Sequence, residues 1–400
     1  MLSYILLAII LGSIAGTITG LTPGIHINLV ATLVLTSSLF LLKFTTPIVL
    51  AIFIISMAVL HTFTNVLPSI YLGAPEAGTA LSVLPGHRLL LEGKGYEAVT
   101  LTVIGSLLGL LSIIIITPLL LLTTKFLYSS IKNYIAIILI IVSIFLIIRD
   151  PHSKLWALIS FTLAGVLGLA VFNLNLEQPL LPLLSGLFGT SNLILSFKDN
   201  TKIPPQIITS NSNVTKKEVS KSIGSGLFAS LICGFLPGIG AAEAAIVASS
   251  ASKKWTTRSF LVLVGSIETI VMIISFIALY TIDKARNGAV VVISKILETM
   301  TMDYFLLFIG ASLVVAGIAT IATLQIAKIF SKIITKVNYQ KLCLSIVILI
   351  VVVVTILTGF LGFVILLIST FVGMIPALKG IERNHLMGCL IIPVILFFIL

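Results

Sequence analysis

The sequence predicts an all-α polytopic membrane protein of about ten spans, built as two inverted repeats that each open on a re-entrant helical hairpin broken at Pro-Gly. Three observations predict it. Of the 400 residues, 58% are hydrophobic and 9% charged, against about a quarter charged in a soluble chain, and the mean hydropathy is +1.24. One pattern is written twice: Gly12, Gly16 and Gly20 lead to Pro23, Gly24 and Ile25, and Gly226, Ser230 and Gly234 lead to Pro237, Gly238 and Ile239. Finally, the lysines and arginines gather in short loops between apolar runs. Small residues at every fourth position let helix backbones approach closely in a membrane. Pro-Gly removes a donor and breaks the helix.

Taken in order, residues 1–42 are apolar and broken at Pro23-Gly24. A span over 46–67 carries His61, Thr64 and Asn65 near its end. Residues 73–96 hold Gly73, Pro75, Glu76, Thr79, Pro85 and Gly86 and become charged at their end, too interrupted to span. Spans follow at 100–122, 134–148, 155–174 and 180–197. Residues 198–222, with Lys198, Lys202, Lys216, Lys217 and Lys221 among Asn, Ser, Thr and Pro, read as a flexible cytoplasmic linker between a first repeat at 1–197 and a second at 223–400. The second broken segment, 223–251, leads to a basic turn (Lys253, Lys254, Arg258) and a span to residue 282 that bears Glu268. Asp283, Lys284, Arg286 and Asn287 precede further spans at 304–324, 342–360, 363–377 and 386–400.

The basic loops orient these spans. Basic sequence stands on both sides of 223–251, so both flanks are expected in the cytoplasm. Each arm is then about fourteen residues, roughly 21 Å as helix, too short for about 30 Å of hydrocarbon. The segment is therefore expected to enter and leave on one side, with Pro237-Gly238 at its tip. Counting outward in both directions puts the strongest basic loops inside. Each half then has one hairpin and five spans, and an odd number inverts the second half relative to the first.

Composition also excludes. The net charge of +11 sits in those loops and calls for no nucleic acid. Cys233, Cys343 and Cys389 lack metal-ligand spacing and read as small buried hydrophobes. The N-terminus has no basic region before its apolar run, so it reads as a helix rather than a signal peptide. With no HExxH, CxxC or P-loop and no nucleophile–base set, no enzyme activity and no cofactor or metal are expected.

In each hairpin, the arm after Pro-Gly starts a helix whose first N–H groups lack intrahelical partners, where the dipole is positive. Two such ends facing each other make an anion site. The expected donors are the backbones of Pro23-Gly24-Ile25-His26 and Pro237-Gly238-Ile239-Gly240, with the His26 and Asn28 side chains just beyond the first tip. Gly73, Pro75 and Thr79 in the first half, and Arg286 and Asn287 in the second, stand in comparable places. Glu76, Glu243 and Glu268 are acids in apolar sequence and are coupling-ion candidates, for Na⁺ or H⁺. The same acids are equally read as structural partners of His61, Lys284 or Arg286.

Gly12-x3-Gly16-x3-Gly20-x2-Pro23-Gly24, then Gly73-x-Pro75 leading to Gly86-x6-Gly93 and Ala98, then Gly234-x2-Pro237-Gly238, in that order, resemble the large permease subunit of tripartite tricarboxylate transporters (TctA-like). The resemblance covers nearly the whole chain. It implies a secondary transporter for carboxylate anions, driven by an ion gradient, in the cell membrane. It also implies a small membrane partner subunit and an extracytoplasmic binding protein, unless the chain is a shorter stand-alone relative; a homodimer is left open. His26 and Asn28 stand where that family tends to have Gly-Pro, so the substrate stays open. The twin broken hairpins are also reminiscent of polyprenyl-phosphate flippases, which keeps a lipid-phosphate translocase as the alternative.

Overall fold

The computed structural model describes all residues except 23–26, 74–80, 82, 177, 198–202, 210, 211, 213, 235–240, 251–254, 286, 298 and 336–338; the side chains of Asn28, Cys233 and Glu243 are among those also not described. The described residues form helices and no strands. In chain order these are α1 (Leu2–Leu21), α2 (Ile27–Thr36), α3 (Ser38–Leu41), α4 (Pro47–Thr64), α5 (Val83–Leu91), α6 (Gly95–Ile131), α7 (Ile135–Arg149), α8 (Lys154–Phe172), α9 (Leu180–Leu184), α10 (Ser191–Phe197), α11 (Lys216–Gly234), α12 (Ala241–Ser250), α13 (Thr257–Ile282), α14 (Gly288–Leu297), α15 (Met302–Ile334), α16 (Tyr339–Lys379) and α17 (Gly388–Ile399). Seven of the described helices are long and apolar enough to cross a membrane, and four shorter apolar ones accompany them. The chain is an integral, multi-pass membrane protein.

The helices differ in several details from the sequence expectation; α11 begins at Lys216, inside the stretch 198–222 expected as a flexible linker, because Lys216–Ser222 continue the helix that leads to Gly234. Spans expected separately at 342–360 and 363–377 form one hydrogen-bonded run, α16, with a non-helical residue at Gly359 (φ 69°, ψ −167°). Glycine takes that conformation without a Cβ penalty, so the run is broken there without a loop. The span at 180–197 passes through a π-helical stretch, Ser185–Thr190, and α4 continues into another at Pro68–Leu72.

The small residues do the work expected of them. A Cβ on Gly12, Gly16 or Gly20 would strike α4 at Phe53, Met57 or Thr64, so α1 and α4 touch backbone to backbone. A Cβ on Gly226 would meet Ser266, and one on Gly234 would meet Ile274, as α11 lies along α13. The halves then interlock. α6 runs along α13, and α15 along α4; α16 covers α9 and α10, while α17 covers α7 and α8. α4 and α13 are buried almost all round at the centre, whereas α16 faces outward with exposed Ile348, Ile356, Phe360 and Phe371.

Loops expected on one side of the membrane meet at one end of the molecule. There Arg258 Nε donates to Glu97 Oε1 at 2.7 Å, Ile207 N–H to the Gly93 carbonyl at 2.8 Å, Thr256 Oγ1 to Glu218 at 3.3 Å, and Ser222 Oγ to the Ser259 carbonyl at 2.8 Å. Tyr71 and Ser331 hydroxyls lie 2.6 Å apart. Lys284, expected on the opposite side, instead donates to Tyr128 at 2.9 Å.

A second buried tie joins the α7–α8 and α16–α17 connections. Asp150 Oδ1 accepts from the His152 and Ser153 N–H groups at 2.9 and 3.0 Å. Its Oδ2 accepts from Glu382 N–H at 3.2 Å and lies 2.9 Å from His385 Nε2. Burial alone would raise the carboxyl's pKa, but these four hydrogen bonds outweigh it and hold it down at about 2. A carboxyl depressed in the folded state contributes stability above its ordinary range and loses it as pH falls toward the folded value. Asp150→Asn is therefore expected to destabilise the fold at pH 7 by about 1–2 kcal/mol after solvent screening, read as a lower melting temperature. The variant should also lose the part of the wild-type acid destabilisation that falls between about pH 4 and 2. Melting curves in detergent across that range, wild type against variant, measure both effects.

Candidate functional site around the α4–α13 crossing

Both broken segments leave the core beside one crossing. Gly20, three residues before Pro23, sits where a Cβ would meet Thr64 and the Asn65 backbone at the end of α4. Gly234, three residues before Pro237, abuts Ile274 on α13. After each break a ten-residue helix starts, α2 at Ile27 and α12 at Ala241. Ten residues make about 15 Å, half the hydrocarbon thickness. The expected start of a helix just beyond each Pro-Gly is thus present in the fold. Pro23, Gly24, Ile25, His26, Pro237, Gly238, Ile239 and Gly240 themselves lie outside the described residues, as do Pro75, Glu76, Thr79 and Arg286. Asn28 falls in the first turn of α2 and Glu243 in the first turn of α12.

Three of the sequence-derived residues are in view. Gly73 ends the π-helical stretch in the left-handed region (φ 65°) and faces Leu193 of α10. Asn287 caps α14: its Oδ1 accepts from Val290 N–H at 2.9 Å, and its Nδ2 points to Ser275 Oγ and Met272 Sδ at 3.3 and 3.4 Å. A helix start left bare would cost roughly 1 kcal/mol, and asparagine is among the best residues for covering it. Glu268 stands on α13 at the crossing, where Asn65 Nδ2 donates to its Oε1 at 2.7 Å.

That pair joins the two halves. Asn65 is fully buried, and among the described residues its Oδ1 finds no hydrogen-bond partner. Beside it Thr62 and Thr269 hydroxyls lie 3.4 Å apart. His61, one turn back, turns its Nδ1 toward α1. Its Nδ1 lies 3.0 Å from Thr19 Oγ1 on α1, and Thr64 Oγ1 donates to the Gly16 carbonyl at 3.3 Å. The crossing is therefore a buried polar seam inside apolar helices, the kind of arrangement that is expensive in a bilayer unless it serves a site.

Sequence reasoning singled out Glu268 and noticed Asn65 near the end of its span, but did not join them. No spacing rule links residues 203 positions apart; only the packing of α4 on α13 does. Glu97 with Arg258, and Asp150 with His385, were missed for the same reason. Among the described residues no three His, Cys, Asp or Glu side chains gather as a metal site.

Residues 6–388 match the model of the tripartite tricarboxylate transporter TctA family. The chain belongs to that family. The match is to a family of transporters and agrees with the membrane-embedded helices described above. Among curated proteins, the TctA-family chain is similar to the uncharacterized protein MJ1079 of Methanocaldococcus jannaschii, 32% identical over 367 residues, which is 87% of this chain and 88% of that one. No solved structure matches it.

Proposed function

We propose that this TctA-family chain is the permease of a secondary active transporter for a small organic anion such as a di- or tricarboxylate. In this reading the anion binds between the helix N-termini at the two Pro-Gly tips, in a molecule built as two inverted repeats, 1–197 and 223–400, joined by the polar segment 198–222. The observation that carries it is the repeated register of the broken segments. α2 spans Ile27–Thr36 and α12 spans Ala241–Ser250, the same ten positions shifted by 214, the same shift that relates Gly12 to Gly226 and Pro23 to Pro237. The partner helices repeat as well: Gly12 faces Ser56 on α4, and Gly226 faces Ser266 on α13. Exchange of partners between halves, α6 with α13 and α15 with α4, is the packing that a pseudo-two-fold relation between inverted repeats gives.

The contact between Ser222 and Ser259 supports the re-entrant reading of 223–251, because it brings the segment's two flanks to one end. Cysteines placed at Lys217 and Lys254 in a cysteine-free background are expected to react with an impermeant maleimide from one side of the membrane, and one at Lys284 from the other. Labelling of 217 and 254 from opposite sides would sink the hairpin.

Glu268, held by Asn65, is the coupling-ion candidate best placed between the halves, with Na⁺ or H⁺ as the ion; Glu76 and Glu243 remain the others. Glu268→Gln keeps the hydrogen bond from Asn65 and removes the charge. It is expected to abolish the dependence of transport on the driving ion while changing stability little. Unchanged ion dependence would mean that Glu268 is only a structural partner. A small membrane subunit and an extracytoplasmic binding protein are the expected partners, as the family's tripartite description implies.

Uptake of labelled carboxylates into proteoliposomes, with and without Na⁺ and pH gradients, tests the whole reading. Accumulation of a di- or tricarboxylate that collapses with one gradient is expected. Binding of a polyprenyl phosphate with no response to any carboxylate would replace the substrate by a lipid phosphate.

A further inference from the structure

The tie between Asp150 and His385 sits in a charged cluster at the ends of four helices, and one of its members is left without a partner. Arg383, in the tight turn Arg383–Met387, is 9% exposed. Among the described residues no hydrogen bond or ion pair reaches its guanidinium, and burial pushes its pKa down. The nearby carboxylates are already used: Asp150 by three N–H groups and His385, and Glu382 by Asn384 at 3.1 Å. His385 Nδ1, in the same turn, is buried and also has no partner among the described residues. A buried cation is costly unless something of opposite charge pairs with it. Membrane orientation does not require such burial, since an exposed arginine would serve the positive-inside rule equally well.

The surroundings say what kind of anion would fit. Lys379 lies 4.1 Å over the Trp156 ring, and Arg149 lies 5.7 Å over that of Phe145. Lys154 is exposed at the start of α8. These cations stand where apolar helices end, next to large apolar residues that face outward: Ile148, Leu155 and Leu378. Cations above, an aromatic at the boundary and bare aliphatic side chains below are the layers of a phospholipid leaflet.

We infer that Arg383, with Lys379, Lys154 and Arg149 around it, binds the phosphate of an anionic phospholipid headgroup, whose acyl chains lie along Ile148, Leu155 and Leu378. The headgroup phosphate supplies the missing counter-charge to the buried guanidinium. The site is separate from the Pro-Gly tips and does not depend on the transported substrate.

Native mass spectrometry and thermal melting of the full-length protein in detergent, titrated with phosphatidylglycerol, test it. Wild type is expected to retain phosphatidylglycerol in preference to phosphatidylcholine and to melt several degrees higher with it. Arg383→Gln should bind phosphatidylglycerol about ten- to a hundred-fold more weakly, the range set by loss of a charge-assisted contact. Should Arg383→Gln fail to fold, Lys379→Gln, a change at an exposed position, should still weaken binding several-fold. Equal binding of the two lipids, or variants that fold and keep wild-type affinity for phosphatidylglycerol, would overturn the inference. Stabilisation by inorganic phosphate equal to that by phosphatidylglycerol would overturn it too, since the site would then select a small anion and not a lipid.

Discussion

Gly265→Val is expected to cost about 3 kcal/mol or more and to prevent a monodisperse protein from being purified. A Cβ at Gly265 would fall on the Thr102 carbonyl of α6, and one at Gly105 on the Val262 carbonyl of α13. The two backbones therefore already touch, and Ser106 Oγ donates across the contact to the Gly265 carbonyl at 3.0 Å. Overpacking usually costs about 1–3 kcal/mol, less when a flexible side chain can yield. Here the obstacle is main chain, so the helices must separate, and that breaks the Ser106 bond. The displacement also reaches Glu268 and Thr269, one turn along α13. Gly310→Val and Gly317→Val serve as controls, because none of the described residues lies within 4 Å of a Cβ at either position. Both are expected to leave the melting temperature nearly unchanged. If Gly265→Val melts like the controls, α6 and α13 are not packed as described.

Gly24→Val and Gly238→Val are expected to abolish anion binding in a protein that still folds. The proposed site uses backbone N–H groups, so added bulk matters more than loss of any one side chain. Two or three charge-assisted donors at about 1.5–3 kcal/mol each are enough to take a micromolar ligand beyond measurement. His26→Ala should cost ten- to a hundred-fold if the imidazole touches the anion, and much less otherwise. Ile25→Leu should do little. Calorimetry on purified variants, with melting curves to confirm folding, decides between these outcomes. Variants that fold and bind normally would show that the Pro-Gly breaks are only kinks.

The helical membrane class was legible because a bilayer penalises every alternative: an apolar run of some twenty residues must satisfy its own backbone. The Gly12–Gly16–Gly20 stripe also read correctly, since small residues at helical spacing have few uses but close packing. The restart of a helix after each Pro-Gly was legible from the break itself; its length was not, ten residues against an expected arm of about fourteen. Partners were not. Whether Glu268 meets His61, Lys284 or Asn65 depends on how α4 crosses α13, and one turn of sliding would exchange one partner for another. The same holds for Arg383, which reads in sequence as one more loop cation. Its burial depends on how the turn after α16 folds back on α7 and α8. The break between the spans at 342–360 and 363–377 was legible; that a single positive-φ residue, Gly359, makes it without a loop was not.

The interlocked halves set an order of events during synthesis. Ser106 and Gly265 are 159 residues apart, so α6 is complete long before the helix it packs on exists. At about 5–20 residues per second, its partner arrives roughly 10–30 s later. For that interval the bare glycine face of α6 lies in lipid or against the insertion machinery, and α4 waits longer still for α15. A ribosome that stalls in the linker leaves a first half in which α6 lacks its main neighbour, α13, and α4 has α1 but lacks α15. Such a fragment is a natural target for membrane quality control, and it should be rescued by supplying residues 223–400 as a separate chain.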